Sequence, residues 1–369
     1  MTSIRSIAGR AAVCGALLAS VAGAQGPGGL QPAADEPPTR QGTRGANFLH
    51  IGLTARANAM AGAVGTSVSG PTAWYWNPAG AALTESFELA AGRQNLYGDL
   101  GLSQNYLAFS IPLIGGAVGV SVNSLNSGDI PLTDEGAPFG TVQRGQFFEW
   151  SSMAVTGGYA ARLTDRLDVG VQIKYISEGV TGSRINFVAA DIGTQFRTGL
   201  YGLILSGTLS NIGNGSRYRG SLLERGVNTN DVARSATRFV LYTREVELPT
   251  AFQFAIGNDL YGSAESLLGR GNGDHKVYTE LSVNDAVDLA VQTSLGVEYA
   301  WKNTLFLRGG KRFYNDERGA PGDDGFGFGM AGGFGVRLPV AGRALRFDYS
   351  YTALGDLRDI QVFSLEIGR

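Results

Sequence analysis

From about residue 86 to its end, the chain alternates apolar and polar positions in short runs. In the stretch from Leu289 to Trp301 the odd-numbered positions are nearly all apolar, whereas Asp288, Gln292, Ser294 and Glu298 share the other face. Successive strand side chains point to opposite faces, so each such run has one apolar and one polar surface. Val118, Val120 and Val122 oppose Gly119, Ser121 and Asn123; Val169, Val171, Ile173 and Tyr175 oppose Asp168, Gly170, Gln172 and Lys174. Leu345, Phe347, Tyr349 and Tyr351 oppose Arg346, Asp348 and Ser350. The pattern predicts fourteen strands, near 86–95, 104–112, 116–126, 148–162, 167–178, 186–198, 203–211, 248–259, 276–284, 288–301, 304–314, 326–338, 344–352 and 360–368. Most run about nine to thirteen residues, enough for a tilted strand to cross a bilayer.

Alternation alone fits a soluble sandwich as well as a membrane barrel, and the connections separate the two. With the first strand starting in the periplasm, every second connection of a barrel is a short periplasmic turn. Residues 112–115, 163–166, 199–202, 302–303 and 339–343 obey, and the long stretches 127–147, 212–247 and 315–325 fall in the opposite set. One connection, 260–275, is long on the periplasmic side. A sandwich has no reason to segregate loop lengths in this way.

The chain's start points to the same setting. Arg5 and Arg10, an apolar stretch from Ala11 to Val21 and the small residues Ala22-Gly23-Ala24 read as a secretory signal peptide over 1–24, cleaved after Ala24. Cys14, the one cysteine, lies inside it, so the mature chain has no disulfide framework. The full sequence carries 30 basic and 32 acidic residues, a net charge of −2 that becomes −4 without Arg5 and Arg10, and nothing in it predicts nucleic-acid binding. No window makes a transmembrane helix. The 55 glycines have no collagen period. Residues 25–45, with Pro27, Pro32, Pro37 and Pro38, read as a flexible periplasmic leader. An exported, cysteine-free chain of alternating strands is expected to be an all-β transmembrane barrel over 84–369, in the bacterial outer membrane.

Residues 46–83 lack the two-residue period and precede every strand, so they read as a plug packed in or against the barrel. Ala55 to Ala63 suits a short helix. Asn77-Pro78 initiates a turn, because proline fixes its own φ and restricts the residue before it. Gly80 supplies a conformation that other residues resist, and Trp74 and Trp76 share one face if extended. Arg56 is the only charged residue between His50 and Leu83. In a lumen it needs an inward carboxylate such as Asp348, Glu298 or Glu366, since a buried unpaired charge is costly. The alternative is a periplasmic cap with Arg56 in water.

The stretches Phe48-Leu49-His50-Ile51-Gly52, Ala55 to Ala63 with Arg56 and Met60, and Trp76-Asn77-Pro78-Ala79-Gly80 resemble the N-terminal signature of the PorV/PorQ family, outer-membrane barrels related to the FadL-type fatty-acid channels. Leu345 to Tyr351, Leu354-Gly355-Asp356-Leu357 and Phe363-Ser364-Leu365 resemble that family's closing hairpin. The resemblance implies a fourteen-stranded barrel whose plug signature is Arg56, Met60, Trp76, Asn77, Pro78 and Gly80. It departs at Ala61, where the signature usually has glycine, and at the Ile367-Gly368-Arg369 end, where many such barrels finish on an aromatic residue. Two functions follow from it: conduction of a fatty acid or other hydrophobic small molecule past the plug, or a part in type IX protein secretion, with secreted cargo and secretion components as partners.

Candidate chemistry adds little. Gly327 to Gly332 spells GxGxxG, but it sits in a strand pattern without the helix that a dinucleotide site needs. The chain has two histidines, His50 and His275, and no HExxH, GxSxG or mature cysteine, so no catalytic site, metal or cofactor is expected. Asp316, Glu317, Asp323 and Asp324 read as solvated loop charge. The arginines of 212–247 offer a surface for lipopolysaccharide, although an ordinary charged loop explains them too. The inward charges Asp168, Lys174, Asp288, Glu298, Arg346, Asp348 and Glu366 read as a hydrated, mutually paired lumen. Tyr299, Trp301, Tyr349 and Tyr351 are candidates for an interfacial girdle.

Overall fold

The computed structural model describes residues 42–98, 100–133, 146–226, 238–314, 328–355 and 358–368. Fourteen antiparallel strands form a closed barrel. They are β1 (Glu88–Leu96), β2 (Ser103–Leu113), β3 (Gly116–Asn126), β4 (Trp150–Arg162), β5 (Leu167–Val180), β6 (Ser183–Arg197) and β7 (Leu203–Gly213). The second half comprises β8 (Ala251–Tyr261), β9 (His275–Ala286), β10 (Gln292–Trp301), β11 (Leu305–Tyr314), β12 (Met330–Val340), β13 (Arg343–Ala353) and β14 (Asp359–Gly368). Every strand pairs with its sequence neighbours, and β1 pairs with β14 from Leu89 opposite Ile367 to Leu96 opposite Ile360. Closure leaves no edge strand in the barrel.

All fourteen alternating segments are strands. The largest shifts, four residues each, are at the starts of β12, which begins at Met330 rather than near 326, and of β10, which begins at Gln292 rather than near 288. Residues 287–291 form a connection in which the Leu289 amide donates back to the Ala286 carbonyl. Leu289 therefore turns toward the barrel mouth and not toward lipid, as its place in the alternation suggested. The GxGxxG stretch straddles the start of β12; Gly327 lies outside the described residues, as do Asp316, Glu317, Asp323 and Asp324.

Alternation sorts the two faces. Leu107, Val171, Ile173, Val188, Phe252, Val297, Leu307, Phe347 and Phe363 are exposed on the outside. Tyr349 sits outside between Phe334 and Phe363, with ring centroids 5.6 and 5.0 Å away. An apolar surface running right round a barrel suits hydrocarbon and not water. Inward positions are mostly small or polar, apart from an apolar cluster of Leu96, Leu125, Ile176, Ile185 and Phe187 toward the long-loop rim, and Gln94, Gln104 and Asn123 join in a buried amide ladder across β1, β2 and β3. The two rims differ: one holds tight turns at 114–115, 163–166 and 341–342, the other the long connections 127–149, 214–250 and 315–329.

The segment before β1 runs through the barrel. At the long-loop rim the Ala46 amide donates to Glu178 Oε1 at 3.1 Å and the Gly45 amide to the Glu247 carbonyl at 3.0 Å. Single turns follow: a 3₁₀ turn at Asn47–His50, α1 (Ala55–Ala59), a 3₁₀ turn at Gly70–Thr72, α2 (Ala73–Trp76) and a 3₁₀ helix at Pro78–Leu83. The chain then enters β1 at the opposite, short-turn rim. Residues 42–45, read from sequence as part of a periplasmic leader, thus lie at the long-loop rim. Having crossed the lumen once, the segment has its two ends at opposite mouths. Residues 1–24 and most of the leader lie outside the described residues.

Candidate functional site

The inner segment meets the wall at two seats. The first lies against β2 to β6. Trp74 is 1% exposed, and its Nε1 donates to Ser110 Oγ at 2.8 Å. Its ring lies over Gly119 and Gly158, and the Asn77–Ala79 turn lies over Gly170 and Gly193; a Cβ at any of these four would collide with it. Asn77 Oδ1 accepts from the Ala79 amide at 3.1 Å, while Nδ2 donates to the carbonyls of Gly65 (2.9 Å) and Thr194 (3.2 Å). Its extended φ of −155° is the conformation favoured before Pro78. Gly80 has no left-handed φ. Glycine is required there because a Cβ would run into the Val68 carbonyl, a matter of space rather than of conformational freedom. Trp74 and Trp76 belong to one helical turn and diverge: Trp76 donates Nε1 to the Leu53 carbonyl at 3.0 Å instead of joining Trp74 on the wall.

The second seat, against β10 to β14, is charged. Arg56 Nε donates to Glu298 Oε2 at 2.9 Å, and its Nη1 to the Ser67 carbonyl at 2.8 Å. Glu298 also accepts from Arg308 Nε at 2.5 Å. Arg308 Nη1 donates to Asp348 Oδ1 at 2.7 Å. Arg346 Nε lies 2.9 Å from Asp348 Oδ2 and its Nη1 3.8 Å from Glu366. Arg308 and Asp348 are buried, so these charges survive only through one another. Above them Met60, fully buried, packs on Gly296 and Gly310.

The remaining inward charges are placed as follows. Asp168, at the short-turn end of β5, is held by Arg162 and Arg197. Lys174 lies 2.6 Å from Asp191 and donates to Asn211 Oδ1 at 3.0 Å. Asp288 stands in the connection after β9, where its Oδ1 is 3.0 Å from His50 Nε2. Several participants escaped the sequence reading: Arg308, Asp191, Glu280, which accepts from the Thr66 amide at 2.9 Å, and Arg312, which donates Nε and Nη2 to the Ala61 carbonyl at 3.1 and 2.9 Å. The period-two register that turns Leu305 and Leu307 outward already turned Arg308 and Arg312 inward.

Between the inner segment and the long-loop rim lies a cavity of ≈ 630 Å³. Its floor is Phe48, His50, Ile51 and Asn58; its sides are Leu102, Leu125, Trp150, Leu289, Tyr314 and Ile360, with Glu178, Asp288 and Arg312 among them. The volume falls within the range of small-molecule sites, and a mostly apolar lining with a few fixed polar groups is their usual composition. Among the described residues no group of three or more His, Cys, Asp or Glu could hold a metal ion.

No protein-family model and no curated protein matches the sequence. Solved structures do share the architecture. The Pseudomonas putida toluene transporter TodX superposes with a TM-score of 0.52 at 10% identity, over 86% of this chain and 96% of its own. The deltaS2S3 mutant of TodX, a monoaromatic hydrocarbon channel, gives 0.52 at 11%, over 86% and 98%. A Pseudomonas aeruginosa FadL homologue gives 0.45 at 12%, over 85% and 97%. At such identities the shared property is the fold.

Proposed function

We propose that this protein is an outer-membrane channel that takes a predominantly apolar small molecule into the cavity at its long-loop mouth and passes it inward past the inner segment, which acts as a plug. The observation that carries this reading is the cavity itself: an apolar chamber at one end of a membrane-suited barrel, floored by a segment that fills the lumen below. The TodX structures, a transporter and a hydrocarbon channel of the same architecture, agree with it. On this reading the long-loop rim faces outward with lipopolysaccharide as its neighbour, the short turns face the periplasm, and residues 1–24 are the export signal. In proteoliposomes, uptake of a fluorescent aromatic solute is expected to saturate, and Leu125→Trp, which fills the chamber, is expected to abolish saturation. Uptake that stays linear and indifferent to Leu125→Trp would remove the basis for a binding chamber. A maleimide that cannot cross membranes is expected to label Thr43→Cys on intact cells and to leave Arg166→Cys unlabelled; the reverse would invert the orientation.

A second reading, a secretion accessory, is favoured by one observation, the resemblance of residues 46–83 to the PorV/PorQ signature. It predicts that deletion strands exported proteins in the periplasm and that the barrel co-purifies with them. A deletion strain with a normal secreted proteome would dismiss it.

A further inference from the structure

Three charged side chains border the cavity besides His50, and two of them are spent. Both Glu178 oxygens are occupied, Oε1 by the Ala46 amide and Oε2 by Ser152 Oγ at 3.3 Å. Arg312 is turned onto the Ala61 carbonyl through two of its nitrogens. Asp288 is different. Its side chain is 1% exposed and its Oδ1 faces His50, yet Oδ2 has no hydrogen-bond partner. A buried carboxylate oxygen left without a donor carries a desolvation cost, and a ligand that brings a donor relieves it. A ligand carboxylate brings only acceptors and a second negative charge into the same enclosed space, where like charges repel most strongly.

Building on the channel reading, we propose that the cavity selects apolar molecules whose single polar group is a hydroxyl, donated to Asp288 Oδ2, over the corresponding carboxylates. His50 then acts as a positioning residue: by engaging Oδ1 it leaves Oδ2 as the carboxylate oxygen that still lacks a donor. The apolar lining takes the hydrocarbon part, and Arg312, anchored to the inner segment, stays out of the recognition.

Three probes sharing one skeleton test this: 2-naphthylmethanol, naphthalene and 2-naphthoate, titrated against the protein in lipid nanodiscs with empty nanodiscs subtracted. The alcohol is expected to bind about tenfold or more tighter than the carboxylate, the scale of one hydrogen bond to a charged acceptor. Asp288→Asn, which keeps the shape but removes the charge, is expected to erase that preference while naphthalene binding holds. Equal binding of all three, lost in Leu125→Trp, would overturn the hydroxyl preference and leave the channel reading intact. A preference that persists in Asp288→Asn would overturn the role of Asp288. Binding of none of the three would overturn the selectivity and the chamber together. Should Asp288→Asn fail to give heat-modifiable barrel, the wild-type ranking of alcohol against carboxylate still decides.

Discussion

The two seats of the inner segment hold it by different physics. Against β2 to β6 the fit is steric: an indole and a proline turn rest on a wall stripped to glycine, with neutral hydrogen bonds to the Ser110 hydroxyl and to backbone carbonyls. Against β10 to β14 the grip is electrostatic, with Arg56 joined through Glu298 to a chain of largely buried charges. A steric seat fails when volume changes by a methyl group and ignores charge. An electrostatic seat tolerates changes of shape but fails when one charge is left alone.

Four substitutions probe that contrast, each read as a change in urea unfolding of the refolded barrel in detergent. Trp74→Ala should cost the most, about 3–5 kcal/mol, because it empties a filled site over Gly119 and Gly158; Trp74→Phe should recover much of this, and no recovery would mean that the Ser110 hydrogen bond dominates. Glu298→Ala is expected to cost about 3 kcal/mol or more by orphaning Arg56 and half-orphaning Arg308. The isosteric Glu298→Gln should keep most of that loss. A mild effect of Glu298→Gln would place the second seat in the steric class as well. Gly170→Val should cost about 1–3 kcal/mol through collision with Pro78, with protease sensitivity rising within 46–83 before the barrel unfolds. Ala61→Gly is the smallest and has the opposite sign. Ala61 has a φ of +55°, a region that penalises a Cβ, so glycine should stabilise by at most about 1 kcal/mol once its added unfolded-state freedom is subtracted.

The strands were readable because a barrel wall imposes one rule, apolar out and mostly small or polar in, along most of its length. Loop lengths followed the barrel phase at most connections, with 262–274 long on the short-turn rim and 181–182 tight on the other. The rule failed where the backbone stopped being a strand: Leu289 continues the alternation on paper but sits in a turn. The inner segment was legible only as an interruption of the pattern. The isolation of Arg56 pointed to a carboxylate partner, and in the structure it reaches Glu298, yet no spacing told which of the carboxylates lies beside it. The meaning of the glycines was hidden as well. Gly119, Gly158, Gly170 and Gly193 look like the neutral inward partners of valines and isoleucines, and their role as a moulded surface exists only once Trp74 and Pro78 lie on them. The cavity could not be read at all, since its depth depends on where a segment without periodicity comes to rest.

The pairing of β1 with β14 has a temporal side. The first and last strands of the wall meet only when the whole chain is present, so the cylinder stays an open sheet until its final ten residues, Asp359–Gly368, arrive. The segment that crosses the lumen precedes all of them in sequence and has its ends at opposite mouths. Threading it through a finished cylinder would drag polar backbone along a narrow bore. Laying it on a half-built sheet needs no such passage. The geometry is therefore that of a filling enclosed by its wall: the segment lies in the lumen, and the pairing of β1 with β14 closes the cylinder over it.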